Sequence, residues 1–445
     1  MAGGKGTRIQ KINSDVPKPL IPIAGIPVLE LEIECLRSQG FTDLILTVGY
    51  KAQQIIDYFG DGSGVSPTSG KPFGVKIEYF VEEKPLGNAG ALFRIKDKLS
   101  DDFLLLNADS MFDVDFNRFV KYHKEHKALV TLFTHPNDHP YDSGLIIADE
   151  NMAVLNWLAK EDERPEWYKN RVNAGLHVMN KAVLEKYTGS IEDNGEAVKV
   201  DLDRKLLKPL AGTGKMFCYD SPEYVKDMGT PDRFYQVEAD IKCGVVSSKN
   251  LSHKQKAVFL DRDGTINQYK GFLHNIDDFE LITGVAEAIK TINAFGYLAI
   301  VVTNQPVIAR GEVTVDELNN IHNKLETLLG KEGAYIDALY YCPHHPDKGF
   351  EGEVPELKFD CECRKPKPGM LLKATKDFNI DLRQSYMVGD SKNDIECGKN
   401  AGCKTVLLNG EGSDKKDNDD YGQNYTFNSL LNFTKNINSL SLSHY

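Results

Sequence analysis

The chain lacks any apolar run near the roughly 20 residues that cross a bilayer. A membrane-spanning protein is therefore not expected. It lacks an excess of positive charge: 53 Lys and Arg stand against 65 Asp and Glu, a formal net charge of −12. Such a surface argues against a nucleic-acid coat or an anionic-membrane binder, but leaves room for basic pockets around small phosphorylated molecules. The opening, Met1 to Gly6, lacks the apolar core of a signal peptide, so a cytoplasmic location is the expectation. The eight cysteines lack the even framework spacing of a disulfide scaffold. Three of them, Cys342, Cys361 and Cys363, cluster with histidine, which in a reducing compartment reads as a metal site. The sequons at Asn424 and Asn432 then read as accidental. No 20–50 residue repeat is visible. What is present is the balance of a globular protein, 41% hydrophobic and 27% charged. A length of 445 residues suits two or three domains.

Two α/β patterns follow one another. In the first, runs such as Leu44-Ile45-Leu46-Thr47-Val48 and Phe103-Leu104-Leu105-Leu106 alternate with amphipathic stretches, including 28–39 with its glycine stop at Gly40. Alternation of this kind predicts βαβ units and a largely parallel sheet. Residues 1–242 form the first predicted domain. The polar, aperiodic stretch 243–256 reads as a linker. A second βαβ series occupies 257–412, with strands at Ala257–Leu260, Leu298–Val302 and Ser385–Val388. Residues 413–445 read as a polar loop and tail, in which an amphipathic segment near 426–437 could dock back. The expected class is α/β, two doubly wound parallel-sheet domains in tandem.

Gly3-Gly4-Lys5-Gly6-Thr7-Arg8 is a glycine-rich turn carrying two cations. Small residues let backbone N–H groups approach phosphate oxygens, and Lys5 and Arg8 add charge-assisted bonds. Lys18, held extended between Pro17 and Pro19, can meet the same phosphates. With Pro17-Lys18-Pro19-Leu20 and Gly25-Ile26-Pro27-Val28-Leu29, this order of motifs resembles the sugar-1-phosphate nucleotidyltransferase family. The resemblance implies a base-and-sugar loop at Glu83–Gly90, with Gly87 and Asn88 contacting substrate. It implies magnesium ligands at Asp109 and Asp227 and a sugar-contacting turn at Asn173-Ala174-Gly175. It also implies that Gly3, Gly4, Gly6 and Thr7 bind the nucleotide, while Arg8 and Lys18 hold the triphosphate and its developing charge. Lys160 is the candidate for gripping the sugar phosphate, with Lys208 as an alternative and a solvated charge run as the plain reading. One departure stands out. The family carries an apolar strand before the glycine loop, and Met1 stands where that strand would end. Without it, backbone groups are left unpaired, at about 1–3 kcal/mol for each buried one, and apolar surface is left open. Either the reading frame starts further upstream, the favoured expectation, or the domain is damaged.

Asp261-Arg262-Asp263-Gly264-Thr265 follows a strand of buried type. A spacing of two places both carboxylates on one side of extended chain, where they can hold Mg²⁺ and supply a nucleophile. Thr303-Asn304-Gln305 ends a second strand, and Gly389-Asp390-Ser391-Lys392-Asn393-Asp394 follows a third. Three such strand ends suit the crevice rule for open α/β sheets. The set resembles the haloacid-dehalogenase phosphatase superfamily. That resemblance implies Asp261 as nucleophile, Asp263 as general acid then base, and Thr303 and Lys365 as stabilisers of the phosphoryl group. It implies Mg²⁺ on Asp261, Asp390 and the main chain of Asp263. Cys342-Pro343-His344-His345 and Cys361-Glu362-Cys363 supply four ligands of the type tetrahedral Zn²⁺ prefers, in a closed, structural site. His344 fits the usual pattern better than His345. The zinc loop, followed by Arg364-Lys365-Pro366, resembles the D-glycero-D-manno-heptose 1,7-bisphosphate 7-phosphatase family and its zinc-bearing histidinol-phosphate relative. It implies substrate contacts at Tyr269, Lys270, Gly271, Phe272, Asn304, Gln305 and Arg364. Two departures are Pro306-Val307, where that family has Ser-Gly, and Ser391, where a lysine often stands.

The two resemblances support each other. A phosphatase that clears C7 leaves heptose 1-phosphate, which a sugar-1-phosphate nucleotidyltransferase consumes. The expectation is a bifunctional enzyme of nucleotide-activated heptose synthesis, using Mg²⁺ in both domains and structural Zn²⁺ in the second. Its partners are heptose phosphates and a nucleoside triphosphate. GTP is inferred from the pathway, not from any residue that reads the base. The alternatives are a histidinol-phosphate or other small-molecule phosphatase fused to a transferase for another sugar, and a phosphatase with a non-catalytic nucleotide-binding domain.

Overall fold

The structure is a computed structural model, described for residues 1, 15–108, 110–187, 189–193, 196–410 and 420–442. The chain divides into two compact units, each α/β. Unit 1 comprises Met1–His135, Gly144–Ala159 and Asn173–Asn250. Unit 2 comprises Pro136–Ser143, Lys160–Val172 and Leu251–Tyr445.

Unit 1 opens with helix α1 (Val28–Ser38), which the positive-φ Gly40 follows. Strands β1 (Asp43–Val48) and β2 (Lys76–Val81) pair in parallel around helix α2 (Ala52–Phe59). Strand β3 (Asp102–Leu106) does not extend this parallel pair. It runs antiparallel to β4 (Val172–Asn180), Leu176 facing Leu106. Another parallel pair is Val130–His135 with Met216–Asp220. Unit 1 is thus a mixed sheet system rather than a uniformly parallel one, because β4 binds β3 in the reverse direction.

Between β1 and β3 lies a cavity of about 640 Å³, lined by Leu44, Leu46, Leu104, Leu106, Ile33 and Leu36 among others. Among the described residues β1 pairs only with β2, and β3 only with β4. Met1 stands at the end of this slot. Its ammonium donates to Leu106 O at 2.6 Å, and its carbonyl accepts from Ala108 N at 3.1 Å. That pattern is one rung of a parallel ladder. The open apolar surface expected from the sequence is therefore present, between the edges of β1 and β3.

Unit 2 holds a six-stranded sheet, parallel throughout. Its centre is β5 (Ala257–Leu260), flanked by β6 (Leu298–Asn304) and β8 (Tyr386–Gly389). Strand β7 (Ala338–Cys342) lies outside β6; β9 (Lys404–Leu408) and β10 (Tyr425–Phe427) lie beyond β8. Val258, Phe259 and Leu260 are fully buried, as strands covered on both faces must be. Helix α3 (Val315–Lys331) starts on a Thr314/Glu317 capping box, and α4 (Lys392–Ala401) on a Ser391/Asp394 box. Helix α5 (Leu430–Leu442) packs Leu430, Phe433 and Ile437 into the core, as the amphipathic pattern near 426–437 suggests. The segment 160–172 also belongs to this unit. Arg171 forms a buried pair with Glu326 at 3.0 Å, and Tyr168 N donates to Thr327 Oγ1 at 2.9 Å. Among the described residues no helix is long and apolar enough to cross a membrane.

Candidate functional site

In unit 2 the parallel topology brings three strand ends to one edge. Asp261 directly follows β5, and its N–H donates to Val388 O at 2.9 Å, which ties it to β8. Gly264, at φ +82°, turns the chain back on itself, its N–H reaching Asn267 O at 2.8 Å. A Cβ at Gly264 would collide with the carboxylate of Asp390, so only glycine lets these two segments approach. Oxygens of Asp261, Asp390 and Asp394 all lie within 4.8 Å of one another. Lys365 inserts among them, its Nζ 2.7 Å from Asp261 Oδ1 and 2.6 Å from Asp394 Oδ1. Asn304 steers this lysine from behind: its Oδ1 accepts from Lys365 N at 3.0 Å and its Nδ2 donates to Lys365 O at 3.1 Å.

The electrostatics follow from burial. Asp261 is pushed up to about 7, chiefly by burial, with Lys365 pulling the other way and Asp394 adding repulsion. Asp390 is pushed up to about 8 by burial and by the charges of Asp261 and Asp394. Burial works against the charge on Lys365, but Asp261 and Asp394 outweigh it and the ammonium is held above its ordinary value. Three crowded carboxylates and one ammonium leave negative charge in excess. Hard oxygen donors in that state fit a divalent cation such as Mg²⁺.

Asp263 faces a different way. Its carboxylate accepts from Arg262, Asn267 Nδ2 at 3.0 Å and Gln305 Nε2 at 2.9 Å. Gln305 also donates to Thr303 Oγ1 at 2.8 Å, linking the first and second strand ends. The loop Tyr269, Lys270, Gly271 and Phe272 is exposed, and Arg310 stacks on the Phe272 ring at 4.1 Å.

Cys342 ends β7, and a loop carries Cys361 and Cys363 back beside it. The three Sγ atoms stand 3.2–3.4 Å apart, and His344 Nδ1 is 3.3 Å from Cys363 and 3.6 Å from Cys342. A tetrahedron with Zn–S bonds near 2.3 Å has edges of about 3.8 Å, so a modest expansion accommodates zinc. Hydrogen bonding from Cys342 pulls the Cys363 thiol down to about 5, the direction a metal-binding thiolate needs. His345 is engaged elsewhere, its Nδ1 accepting from Asp347 N at 3.2 Å. Arg364 donates to His344 O at 3.1 Å, so the cysteine loop directly anchors the residue beside Lys365.

In unit 1, Gly3, Gly4, Gly6, Thr7, Arg8 and Asp109 lie outside the described residues. Asp227 ends the strand Tyr224–Asp227, with Lys18 Nζ at 4.0 Å and Arg233 NH1 at 2.6 Å. Gly87 holds φ +80° against the Val200 backbone, and Asn88 Oδ1 accepts from Leu202 N at 2.6 Å. Asn173 Oδ1 caps Gly175 N at 3.3 Å, and Gly175 abuts the Asn107 amide. Lys160 is exposed and falls in the segment that clusters with unit 2, while Lys208 sits half-buried in unit 1.

Sequence reasoning left Asp394, Arg262, Asn267 and His322 out of the site. Asp394 accepts from Ser391 N at 3.0 Å, so at sequence level it reads as a helix cap. His322 offered no signal, being a lone histidine on an amphipathic helix.

The fold and site of unit 2 define a phosphatase of haloacid-dehalogenase type, and the family match of the first half sets a nucleotidyltransferase before it. Residues 1–243 match the Nucleotidyl transferase family, more than half of the chain, and residues 362–433 match the HAD-hydrolase-like family. A 186-residue stretch, 42% of the chain, is 42% identical to the D-glycero-beta-D-manno-heptose-1,7-bisphosphate 7-phosphatase of Pasteurella multocida, covering 98% of that protein. The enzyme of the same name from Escherichia coli K12 is 43% identical over 157 residues, 35% of this chain and 80% of that one. Among solved structures, HddC from Yersinia pseudotuberculosis is 24% identical, with a TM-score of 0.44, over 54% of this chain and 96% of that one. The chain belongs to the nucleotidyl transferase family through its first half and to the family of these 7-phosphatases through its second.

Proposed function

We propose that the chain is a bifunctional enzyme of nucleotide-activated heptose biosynthesis. The phosphatase unit removes the C7 phosphate of D-glycero-D-manno-heptose 1,7-bisphosphate. The transferase unit joins a nucleotidyl group, from GTP, to the resulting heptose 1-phosphate and releases pyrophosphate.

One observation carries the phosphatase reading. Lys365 Nζ bridges Asp261 and Asp394 at 2.7 and 2.6 Å inside a buried pocket at the ends of parallel strands. In the first step an Asp261 oxygen attacks phosphorus, the bond from phosphorus to the C7 oxygen breaks, and Asp263 gives that oxygen a proton. In the second, water attacks the aspartyl-phosphate, passes a proton to Asp263 and frees Asp261 and inorganic phosphate. Lys365 and Thr303 meet the charge of the moving phosphoryl group. Mg²⁺ held by Asp261, Asp390 and the main chain of Asp263 would neutralise phosphoryl oxygens there. Zn²⁺ on Cys342, His344, Cys361 and Cys363 would fix the loop that presents Arg364 and Lys365. Arg364 and the Tyr269–Phe272 loop face the rest of the sugar.

In the transferase unit an oxygen of the sugar 1-phosphate attacks the α-phosphorus, and the bond to the leaving pyrophosphate breaks. The task is positioning and charge neutralisation. Gly3, Gly4, Gly6, Thr7, Arg8 and Lys18 serve the triphosphate. Gly87, Asn88, Asn173 and Gly175 serve base and sugar, while Asp109 and Asp227 would hold Mg²⁺.

The test supplies both anomers of the bisphosphate with Mg²⁺ and each nucleoside triphosphate in turn. Phosphate release followed by a GDP-sugar supports the reading. Faster turnover of histidinol phosphate, or phosphate release with no nucleotide sugar from any triphosphate, refutes it.

A further inference from the structure

Arg262 is among the largest fully buried side chains of the described residues, and it lies between the two catalytic aspartates in sequence. Its NH2 donates to both oxygens of Asp263 at 2.9 Å, and its Nε reaches Oδ1 at 3.2 Å. Its remaining nitrogen, NH1, lies 3.2 Å from His322 Nε2 on α3. A guanidinium has donors and no acceptor, so His322 must accept here, with its own proton on Nδ1. Burial and the neighbouring Arg262 both hold His322 far below the ordinary histidine value, which keeps that lone pair available. The guanidinium is planar, so contacts on opposite sides fix its rotation as well as its place. Asn267 and Gln305 complete the set around Asp263. Both are buried, while the Asp263 side chain keeps 17% of its surface open.

We propose that His322 and Arg262 are positioning residues, a buried brace that orients the Asp263 carboxyl toward the oxygen it protonates and later the water it deprotonates. This rests on the phosphatase reading above. Misplacing an acid by about 1 Å costs roughly 100-fold, so a brace two residues deep carries kinetic weight.

A purely structural buried pair would damage all reactions alike, whereas a brace for the acid would not. An alkoxide leaving group needs a proton as its bond to phosphorus breaks, and p-nitrophenolate does not. The full-length protein, with Mg²⁺ and Zn²⁺, is therefore assayed on the sugar bisphosphate and on p-nitrophenyl phosphate. For His322→Phe, kcat/KM on the sugar phosphate, which reports the steps up to aspartyl-phosphate formation, is expected to fall about 10- to 100-fold, with kcat/KM on the aryl phosphate within about threefold of wild type. His322→Gln, whose amide oxygen can accept from Arg262, is expected to recover most of the loss. Equal losses on both substrates, or no loss on the sugar phosphate, overturn the proposal. If His322→Phe does not fold, His322→Asn, whose shorter amide falls short of Arg262, is read by the same two-substrate comparison. Asp263→Asn is the control for the underlying reading. If it shows no preference for damaging the sugar phosphate reaction, the acid–base role of Asp263 falls. If it shows that preference and the His322 variant does not, only the brace falls.

Discussion

Lys365 shows how much one buried ammonium controls. It is almost wholly enclosed and sits between two acids whose repulsion it relieves. Lys365→Met is expected to drive Asp261 further toward its protonated, non-nucleophilic form. Phosphate release should fall by about 100- to 1,000-fold while nucleotidyl transfer persists, which parallel assays on the one protein will show. His177 makes a different prediction. It lies fully buried in β4 with no hydrogen-bond partner for either ring nitrogen among the described residues. Burial holds it down at about 4. Its folded value lies below the unfolded value near 6.5, so the unfolded chain takes up the proton first. Stability is then lost as pH falls from about 6.5 toward 4, at up to ~1.4 kcal/mol per pH unit. Melting curves across that range should slope for the wild type and flatten for His177→Phe. At this scale the sequence was legible where chemistry is local. Asp261 and Asp390 stand at strand ends and can be recognised there. Asp394 doubles as a helix cap and His322 acts through a second residue, so neither shows itself before the chain is folded.

The elements of unit 2 follow the pattern of the sequence closely. Fully apolar runs became central parallel strands, and the tail's apolar spacing became a docked helix. Unit 1 was less legible. A short apolar run such as Phe103–Leu106 carries no mark of the direction in which its neighbour will run, and it pairs antiparallel with Val172–Asn180. The cysteine loop is the element with the clearest consequence. It has few apolar side chains of its own, and the residue after Cys363 leads straight into Lys365. Cys361→Ser, or prolonged treatment with a strong zinc chelator, is expected to lower phosphatase activity at least about 10-fold, with matching loss of bound zinc measured by atomic absorption. Nucleotidyl transfer, tested with chelator removed and Mg²⁺ restored, should be unchanged.

The whole chain divides along lines that composition does not reveal. Residues 136–143 and 160–172 pack with unit 2 although they are embedded in the sequence of unit 1. What assigns them is tertiary, the Arg171–Glu326 pair and the Tyr168–Thr327 bonds. The slot between Asp43–Val48 and Asp102–Leu106 is also a property of the assembled unit, although a gap there was foreseen from the motif order. Its apolar lining and the parallel rung at Met1 suit an extended apolar segment running with β3. Adding five alternating Val and Ile residues ahead of Met1 is expected to raise the melting temperature of the first unit. Each kcal/mol gained is worth roughly 2–4 °C for a body of that size, and scanning calorimetry will resolve it. An unchanged midpoint would mean the slot does not accept a strand.

Gly264 sets the tolerance of the phosphatase centre. A hydrogen stands where a Cβ would meet the Asp390 carboxylate, so the place of that carboxylate against the first loop is set by the smallest substituent carbon can carry. Adding even one methyl group there would push the Asp390 carboxylate from its place. The protein would keep its nucleophile and its lysine, yet lose the close grouping of oxygens that a small ion demands.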